Sequence, residues 1–417
     1  MPRVLLIDGG QSGSRARYLE GVPQSASPSV KQRAAPSADA TPGVTFSGAG
    51  SSPPSGTRTP SRSRRGRARA ERRGPGLPRH GRDYRALRVL LDDPVDFVAA
   101  GLTGFDGDAA AVARALGVPV IVSNDAVTAH LGALGGEPGV VIVAGTGVIA
   151  LAVGADGRWA RADGLGSRLG DDGGGYWIGR RGLAAALRAR DGRPGGSPEL
   201  LRHAVGRFGE RIVPAVYDAD DPVAVIADFA RDVADAANAG DEHARSIWSD
   251  AASELAATAL TAARAVAATG ASGPASKARP GRSTKPGPAR SSGSAAKSRG
   301  AGSSKVAASR SAGSSKTAAS RSAGSSKAAA SRAAGSSKTA ASRAAAASEA
   351  NTAAASLPAL ALSYSGGLFA AGELLLDPLR AHLPALVAPL GGPLDGAARL
   401  LERPPLFKDL IFEAGAP

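Results

Sequence analysis

Residues 4–14 read VLLIDGGQSGS, an apolar run followed by a glycine-rich segment. Val4–Ile7 is a short run of β-branched and leucine residues that stops at Asp8-Gly9-Gly10, a pattern typical of a buried strand that enters a tight turn. Glycine lets main-chain N–H groups approach phosphate oxygens closely, and hydroxyls such as that of Ser12 add donors. The stretch therefore predicts a strand that leads into a phosphate-binding turn.

Two further glycine-bearing turns follow apolar runs later in the chain. They are Gly145-Thr146-Gly147 and Ser365-Gly366-Gly367-Leu368. A glycine after a strand usually does no more than reverse the chain, so each turn alone is weak evidence. The order of the three turns along the sequence is what favours phosphate binding over three unrelated reversals.

Between these turns the apolar pattern alternates between strands and helices. Strands are predicted at 96–102 and 118–123 and as a pair within 140–153, with helices at 108–116 and 126–134. Strands that alternate with helices of about ten residues indicate an α/β sheet with crossover connections. The other predicted elements are strands at 14–20, about 68–71 and 357–362, and helices at 83–91, 223–237, 243–268 and 371–379.

Two segments carry the whole positive excess of the chain. The sequence has 51 Lys and Arg against 36 Asp and Glu, a net charge of +15. Residues 22–70 hold a surplus of +7 and residues 271–347 a surplus of +15, which leaves −7 for the remaining 291 residues. The basic character therefore belongs to these segments, and it gives no reason to expect nucleic-acid binding by the folded body.

Both segments are also low in sequence complexity. Residues 22–67 are rich in Ser, Pro, Arg and Gly, and residues 271–347 contain an eleven-residue repeat that reads roughly SAGSSKTAASR. Because neither has enough apolar surface to offset the entropy of ordering, both are predicted to be disordered inserts. The repeat is interpreted as a low-complexity loop insert. The alternative is a tail, similar to linker-histone tails, that binds nucleic acid weakly and non-specifically.

The chain has no cysteine, which excludes disulfides, thiolate zinc sites and cysteine-bound iron–sulfur clusters. The longest apolar stretch, residues 140–153, is shorter than the roughly 20 residues that a membrane-spanning helix needs. The opening residues MPRVLLIDGG show no signal-peptide pattern. A cytoplasmic protein without membrane contact is expected.

Two aspartates at predicted strand ends are candidates for the chemistry. Asp8 ends a buried strand, where a carboxylate is costly unless it faces a cation, so Mg²⁺ is its expected partner. Asn124-Asp125 ends another strand, and ligand sites in α/β sheets lie at the carboxyl ends of strands. Asp125 is the candidate general base for a hydroxyl that attacks the γ-phosphate of ATP. The sequence leaves open the alternative that Asn124-Asp125 only caps the helix starting at Ala126.

Residues 164–179 read GLGSRLGDDGGGYWIG, the densest glycine-rich motif in the chain. Glycines, paired aspartates and two aromatic residues before a helix suit a rigid loop that hydrogen-bonds sugar hydroxyls. The alternative is a glycine-rich linker with an aromatic anchor in the core. That alternative accounts for Tyr176 and Trp177 but not for Asp171-Asp172.

Taken together, these motifs resemble the BadF/BadG/BcrA/BcrD-type ATPases and, among them, the N-acetylglucosamine kinases. Residues 164–179 are similar to the family segment GWGxxLGDEGSGYWIG, and the three turns match the order of the phosphate-1, phosphate-2 and adenosine turns of actin-like sugar kinases. The resemblance spans about residues 1–21, 68–269 and 351–415. It implies an α/β, actin-like ATPase (ribonuclease H-like) fold with two lobes around an ATP cleft, and ATP and Mg²⁺ as cofactors.

The resemblance also implies a reaction and a set of site residues. The expected reaction is ATP-dependent phosphorylation of an amino sugar, N-acetylglucosamine to its 6-phosphate, with Asp125 as general base and Asp8 at the metal. The expected ATP-binding residues are Gly9, Gly10, Gln11, Ser12, Gly13, Thr146, Gly147, Gly366 and Gly367. The expected substrate-binding residues are Gly76, Leu77, Asn124, Gly164 and Asp171.

Four features depart from the family pattern. The loop 74–78 has no Asn, Leu165 replaces Trp, Asp172 replaces Glu, and Val148 replaces Ser. These changes bear on the identity of the sugar more than on the fold, because the ATP turns and Asp125 are retained.

The expected lobes are residues 1–125, with the insert 22–67, and residues 126–415, with the insert 271–347. A homodimer is a further expectation. The competing functions are a non-catalytic sensor of sugar and ATP, and a protein tethered to nucleic acid by its inserts. The activator ATPases of the same family hold an iron–sulfur cluster through cysteines, and repressor kinases carry a cysteine-rich zinc motif, so the absence of cysteine argues against both.

Overall fold

Two β-sheets, one of six strands and one of four, form the frame of the protein. The computed structural model describes residues 2–28, 71–77, 83–267 and 360–416, which all belong to one compact unit. The insert predicted at 271–347 and most of the one predicted at 22–67 lie outside the described residues.

Strands and helices alternate between residues 97 and 144, as the sequence predicts, whereas residues 175–267 contain a series of helices. The strands are β1 (Val4–Gly9), β2 (Ser14–Leu19), β3 (Arg72–Gly74), β4 (Phe97–Leu102), β5 (Val120–Asn124), β6 (Gly139–Ala144), β7 (Val148–Val153), β8 (Trp159–Asp163), β9 (Ala361–Ser365) and β10 (Phe412–Ala414). The helices are α1 (Ala109–Leu116), α2 (Asp125–Leu134), α3 (Gly175–Arg190), α4 (Pro198–Phe208), α5 (Ile212–Tyr217), α6 (Pro222–Asp228), α7 (Ala230–Asn238), α8 (Glu242–Ala267), α9 (Glu373–His382) and α10 (Pro393–Arg399).

The six-stranded sheet has the order β10-β5-β4-β1-β2-β3, with β1, β4 and β5 parallel. Its central strands β1, β4 and β5 are apolar except near the carboxyl ends of β1 and β5, because both faces are covered, as parallel strands require. Leu5 and Ile7 point into a core shared with α1, whereas Val4 and Leu6 point into a core shared with α2 and α10. The parallel arrangement places the carboxyl ends of β1, β4 and β5 at one edge of the sheet.

The four-stranded sheet has the order β8-β7-β6-β9, in which β6, β7 and β8 form an antiparallel meander and β9 runs parallel to β6. The long helix α8 packs across β6, β7 and β8. Buried aromatic residues, among them Trp177 and Trp248, fill the core between this sheet and its helices. Within the described residues, no helix has both the length and the apolarity that crossing a membrane requires.

Helix α2 links the two sheets. It contacts β4 of the first sheet and β6 and β9 of the second, and α10 lies against its outer side. The approach is close: a Cβ at Gly101 of β4 would come within 1.9 Å of Thr128 Oγ1, and one at Gly396 of α10 within 1.7 Å of the Thr128 carbonyl oxygen. Small residues on the neighbouring elements therefore fix the position of α2, and with it the position of Asp125 at its first turn.

Several predicted elements differ in detail from the observed ones. The predicted helix at 83–91 is a 3-10 helix at Tyr84–Leu90 whose first turn is capped by Asp83. The predicted helix at 223–237 is two helices, α6 and α7, because the chain breaks at the buried Phe229. The predicted strand at 357–362 lies further along the chain, as β9.

The prediction that disorder begins at residue 22 is wrong for residues 22–28. Val22 and Ala26 are buried in the core, and residues Gln24–Ala26 form a 3-10 turn. The Arg403 guanidinium donates hydrogen bonds to the carbonyls of Ala26 (3.3 Å) and Ser27 (2.9 Å). Two apolar side chains and one arginine from a distant segment thus order a stretch whose composition resembles that of a disordered region.

The chain returns to the first sheet after building the second. Residues Phe412–Ala414 form β10 antiparallel to β5, and α10 packs on α2 and β1. The lobe boundary placed between residues 125 and 126 stays a prediction. Residues 393–414 nevertheless pack with the strands of the first predicted lobe, because β5 has an open edge and α2 an open face.

Candidate active site

The first glycine turn is the tight hairpin between β1 and β2. The Gly10 N–H donates to the Gly13 carbonyl at 3.1 Å, and Gln11 and Ser12 lie exposed at the tip. Gly9, still within β1, packs so closely on Leu102 that a Cβ there would approach its side chain to 2.8 Å. The turn is therefore held rigidly at the carboxyl edge of the first sheet.

The loop predicted to bind sugar lies directly on this turn. The Leu77 N–H donates to the Gly10 carbonyl at 2.9 Å. A Cβ at Gly76 would come within 2.0 Å of the Gln11 carbonyl oxygen, so the close contact requires glycine. The Leu77 side chain is buried in the core. A ligand contact from Leu77 would therefore have to use its main-chain carbonyl, since the N–H is already bonded.

The second glycine turn and the glycine-rich segment form one unit. Within the turn the Gly145 N–H donates to the Gly147 carbonyl at 2.9 Å. The first N–H groups of α3 donate to the same turn, Gly175 to the Gly145 carbonyl at 2.8 Å and Tyr176 to the Thr146 carbonyl at 3.0 Å. Trp177 is buried in the core behind them. The segment 164–179 is thus docked on the turn and anchored in the core, which rules out a loose linker.

Asp171 lies beneath the second turn. Its backbone adopts a left-handed φ of 62°, and the residue is 8% exposed. The carboxylate accepts a hydrogen bond from the Gly166 N–H at 3.3 Å, and its other oxygen would be 2.2 Å from a Cβ at Gly147. Asp171 therefore packs against the predicted phosphate turn, and its contact with the sugar stays a prediction.

Gly164 begins the same segment but stands apart from this contact. It is exposed, with a left-handed φ of 73°, and a Cβ there would lie 3.1 Å from the Ile149 side chain. The next residue, Leu165, stands where the family pattern has Trp and is 62% exposed. The start of the segment is thus open to a ligand, whereas Asp171 is enclosed.

The third glycine turn shares a sheet edge with the second. Strand β9 runs parallel to β6, with Ser365 opposite Val143, so both turns follow neighbouring strands. Gly366 has a φ of 110°, and a Cβ there would lie 2.2 Å from the Ala144 carbonyl oxygen. Gly367 then opens a 3-10 helix. The second and third predicted ATP turns are therefore adjacent at the carboxyl edge of the second sheet.

A hydrogen bond between two hydroxyl groups joins the first and second turns. Ser12 Oγ and Thr146 Oγ1 are 2.9 Å apart, although 134 positions separate them in the sequence. Ser12 belongs to the first sheet's turn and Thr146 to the second sheet's turn. Two of the three predicted phosphate-binding turns thus meet within hydrogen-bond distance, with one hydroxyl from each.

Asp125 occupies the strand edge beside the first turn. The Thr103 N–H, at the end of β4, donates to the Gly9 carbonyl at 2.8 Å, and the Thr103 side chain hydrogen-bonds the Asp125 carboxylate. Burial raises the pKa of Asp125 from 3.8 to about 6, and the nearby negative charge of Asp8 adds to the rise. A carboxylate whose pKa is close to the working pH is suited to accept a proton.

Asn124 and Asp125 lie at the N-terminus of α2, where their side chains accept a hydrogen bond from the first turn. The Asn124 side-chain oxygen accepts a hydrogen bond from the Ala126 N–H at 3.1 Å, which makes Asn124 the N-cap. Asp125 Oδ1 shares the same N–H at 3.0 Å. The capping alternative therefore holds for Asn124, whose oxygen is occupied, whereas α2 does not depend on Asp125 for its cap.

Asp8 is paired with an arginine that the sequence reasoning missed. Arg15 Nη2 and Nε lie 2.6 and 3.2 Å from Asp8 Oδ2. Burial raises the pKa of the Asp8 carboxyl above its ordinary value, although the hydrogen bond and charge of Arg15 act to lower it. The sequence signal that could have identified this pair is the hairpin itself. If the hairpin closes at residues 10–13, Arg15 lies directly opposite Asp8.

The residues present fit a divalent cation at Asp8. Among the described residues, no set of three histidine or carboxylate side chains forms a complete metal cage. Mg²⁺ in phosphoryl-transfer sites is commonly held by one or two carboxylates together with the substrate phosphates. Burial raises the pKa of both carboxyls, and the charge of Asp8 raises that of Asp125 further, so a cation near them would favour their ionised forms.

Comparisons with known proteins agree with this geometry. Residues 75–272 match the family model of the BadF/BadG/BcrA/BcrD ATPase family. A stretch of 141 residues is 34% identical to an N-acetylmuramic acid/N-acetylglucosamine kinase of Clostridium acetobutylicum, covering 33% of this chain and 45% of that relative. The chain thus matches less than half the length of this curated relative.

Two solved structures share the fold. One is named as an N-acetylglucosamine kinase from Chromobacterium violaceum, with a TM-score of 0.55 and 20% identity over 96% of this chain and 99% of that one. The other, from Porphyromonas gingivalis and named likewise, has a TM-score of 0.53 and 12% identity over the same shares. At these identities the likeness concerns the fold alone, and it confirms the predicted α/β architecture.

Proposed function

We propose that this chain, whose residues 75–272 match the model of the BadF/BadG/BcrA/BcrD ATPase family, transfers the γ-phosphate of ATP to a hydroxyl of an amino sugar. The observation that carries the proposal is the Ser12–Thr146 hydrogen bond of 2.9 Å. It brings two glycine turns together beside the strand edge that holds Asp125. Turns of this kind supply N–H and hydroxyl donors to phosphates, and an adjacent carboxylate supplies the base.

In the proposed reaction Asp125 accepts the proton of the attacking sugar hydroxyl. The pKa of about 6 leaves the carboxylate mostly ionised at neutral pH while making it a stronger base than an ordinary aspartate. Thr103 orients the carboxylate through its side-chain hydrogen bond. The hydroxyls of Ser12 and Thr146 and the N–H groups of their turns hold the phosphates, which keeps the γ-phosphorus in line with the attacking oxygen.

Mg²⁺ would be held by Asp8, with Asp125 as its charged neighbour. When bound, the ion neutralises charge that develops on the phosphates. The protein contributes the carboxylate of Asp8 at the end of β1. The Asp8 side chain is 14% exposed and accepts hydrogen bonds from the Arg15 guanidinium in this structure.

The substrate class rests on the relatives and on the open glycine-rich segment. The similar proteins described above are named for N-acetylglucosamine and, in one case, also for N-acetylmuramic acid. Gly164 is exposed and the loop ending at Leu77 lies on the first turn, and main-chain groups hydrogen-bond sugar hydroxyls well. We propose N-acetylglucosamine as the first candidate and the 6-hydroxyl as the acceptor.

The test is a coupled ADP-release assay on the full chain with Mg·ATP. The panel is N-acetylglucosamine, N-acetylmuramic acid, glucosamine and glucose, and the phosphorylated carbon is identified by NMR. Stimulation of ADP release by an amino sugar supports the proposal. The proposal is abandoned if no member of the panel stimulates ADP release while ATP binding is retained.

A non-catalytic sensor of sugar and ATP is the second candidate. The Arg15–Asp8 ion pair favours it, because a carboxylate already bound to a guanidinium is less available to a cation. Binding of both ligands without turnover in the same assay would support the sensor. The nucleic-acid interaction predicted for residues 271–347 lies outside the described residues and stays a prediction.

A further inference from the structure

Arg15 and Asp8 face each other across the first hairpin. They are register partners on β2 and β1, and both side chains point to the same face of the sheet. Two nitrogens of the guanidinium, Nη2 and Nε, donate to one oxygen, Asp8 Oδ2, at 2.6 and 3.2 Å. The Asp8 side chain is 14% exposed and that of Arg15 is 45% exposed. The arginine therefore covers the carboxylate from the solvent side.

Two carboxylates lie within reach of the Arg15 guanidinium. On its other side, Arg73 of β3 is its direct register partner. Like charges directly opposite each other on neighbouring strands are destabilising, so Arg15 is stabilised by a nearby carboxylate that offsets the charge of Arg73. Arg15 Nε lies 4.0 Å from a Glu71 carboxylate oxygen. Glu71 and Asp8 are thus the two carboxylates that compete for one guanidinium.

We propose that Arg15 is a positioning residue that competes with the divalent cation for Asp8 and moves to Glu71 when the cation binds. This inference rests on the assignment of Asp8 as the cation ligand in the proposed function. In the free protein Arg15 keeps the carboxylate paired and in place. The cation then binds Asp8 only when other ligands stabilise it enough to displace the guanidinium. Nucleotide phosphates are such ligands.

The charges explain why the exchange is close to balanced. A guanidinium in contact with Asp8 repels a dication at the same carboxylate and occupies the oxygen that it needs. Glu71 offsets that cost because the displaced guanidinium keeps an ion pair. Both Glu71 and Arg15 are nearly half exposed, so each remains hydrated in either position and the movement needs no repacking of the core.

The test measures Mn²⁺ binding to the full chain by electron paramagnetic resonance, without nucleotide or sugar. Arg15→Gln should lower the Mn²⁺ dissociation constant about tenfold, since it removes one repelling charge and one competitor. Arg15→Lys keeps the charge and should remain near the wild type. The control is Arg158→Gln, which removes an equal charge from an exposed pair with Asp156 in the β7–β8 hairpin and should change nothing.

Glu71→Gln separates the two-position exchange from simple charge attraction. It should raise the Mn²⁺ dissociation constant in the wild-type background and have a smaller effect in the Arg15→Gln background, where only the direct attraction between Glu71 and the cation is lost. An unchanged or higher dissociation constant in Arg15→Gln, including no detectable binding to either protein, would overturn the proposal. An equal effect of Glu71→Gln in both backgrounds would also overturn it. Since no turnover is involved, a chain that phosphorylates no sugar still gives a clear result.

Discussion

At the scale of single residues, Asp125 is where function and stability conflict. Its carboxylate is partly enclosed at the end of β5, and burial together with the charge of Asp8 raises its pKa to about 6. A group whose pKa is raised in the folded state stabilises the fold when protonated. That contribution is fully present below the unfolded pKa of 3.8 and is lost as the pH rises through about 6. At neutral pH the protein therefore carries an ionised group that it would hold more easily in neutral form.

Asp125→Asn is expected to abolish turnover and to stabilise the protein. A general base contributes about 10² to 10⁴ in rate, so kcat should fall at least about a hundredfold. Removing the charge should raise the free energy of unfolding at pH 7.5 by up to about 3 kcal/mol, the equivalent of the shift in pKa. Steady-state kinetics and urea unfolding measure the two effects.

The control for this variant is Asp108→Asn. Asp108 caps α1 by accepting the Ala111 N–H at 2.9 Å, and asparagine caps equally well. Both kcat and stability should stay close to the wild type in Asp108→Asn. The stabilisation of Asp125→Asn should shrink as the pH falls below 6, and a gain that is independent of pH would contradict the electrostatic explanation.

The pH dependence of kcat/KM should show one rising limb with a midpoint near pH 6, because Asp125 must be ionised to act as a base. Thr103→Val removes a hydrogen bond that lowers this pKa, so the limb should move to higher pH. Rate measurements between pH 5 and pH 9 test both statements. A limb that stays in place in Thr103→Val would show that another group controls the profile.

The glycine residues mark the limit of what the sequence predicts at this scale. The turn residues were identified correctly as turns, but a pattern does not distinguish a glycine that faces a ligand from one that faces the chain. Gly76 was predicted to bind sugar, yet the close approach to the Gln11 carbonyl already requires glycine there. Asp171 is similar, since its burial beneath Gly147 depends on a contact between two loops that no local pattern encodes.

At the scale of elements, α2 packs against α10 through contacts at which no side chain separates the two backbones. Gly396 of α10 meets the Thr128 carbonyl oxygen, and Gly132 meets the Gly392 carbonyl oxygen at 2.1 Å from its ideal Cβ position. Any side chain at these points would push α10 away from α2. Because Asp125 is the first residue of α2, the spacing of the two helices also sets the position of the candidate base.

Gly396→Ala should therefore reduce stability by about 3 kcal/mol and lower kcat as well. The matched control is Gly206→Ala in α4, where a Cβ would meet nothing within 4 Å. That change should instead stabilise the protein by about 0.5 to 1 kcal/mol through helix propensity. Thermal unfolding and the ADP-release assay measure both variants. Equal effects of the two substitutions would show that the α2–α10 contact is looser than the structure indicates.

The elements that were predicted well are those with a strong period or a buried apolar run. Strands β4 and β6 were predicted to within about one residue, because every residue in them is apolar and the flanking turns contain glycine. Strand β8 was not predicted, since Trp159–Asp163 is a half-exposed edge whose pattern includes two charged residues. The break between α6 and α7 was missed because the helical spacing continues through Phe229, and only the packing of the tertiary structure interrupts it.

At the scale of the whole molecule, the charge of the body and the charge of the inserts have opposite signs. The body carries about −7 once residues 22–70 and 271–347 are set aside. An acidic body does not attract nucleic acid, whereas a basic segment binds phosphate backbones with strong salt dependence. The proposed sugar phosphorylation therefore belongs to the acidic body, and the predicted nucleic-acid binding belongs to the basic segments.

Replacing residues 271–347 with a short Gly/Ser linker should leave ADP release within about twofold of the wild type. Doubling the length of a loop costs only about 0.6 kcal/mol, so shortening this connection should change stability little. The same deletion should remove DNA binding at low salt, as measured by gel shift. If gel-shift affinity is unchanged by the deletion, the nucleic-acid interpretation of the repeat is wrong. If ADP release is lost, the segment contributes to the site.

The overall architecture was predictable because the order of three turns is a property of the whole sequence. The course of the chain after β9 was not predictable. Strand β10 has three residues, too few for a period, and it is recognised by the open edge of β5 rather than by its own pattern. Arg403, which ties residues 26–27 to Glu413 of β10, is likewise one of many arginines in the sequence.

The position of β10 has a consequence for synthesis on the ribosome. Phe412 and Val122 are register partners that are 290 positions apart in the sequence. At about 5 to 20 residues per second, the outer edge of β5 emerges on the order of 15 to 60 seconds before its partner. During that interval an apolar strand edge is open to other chains, which is the condition that favours chaperone capture and intermolecular pairing. Production of this protein should therefore depend on how the cell protects that edge before β10 is made.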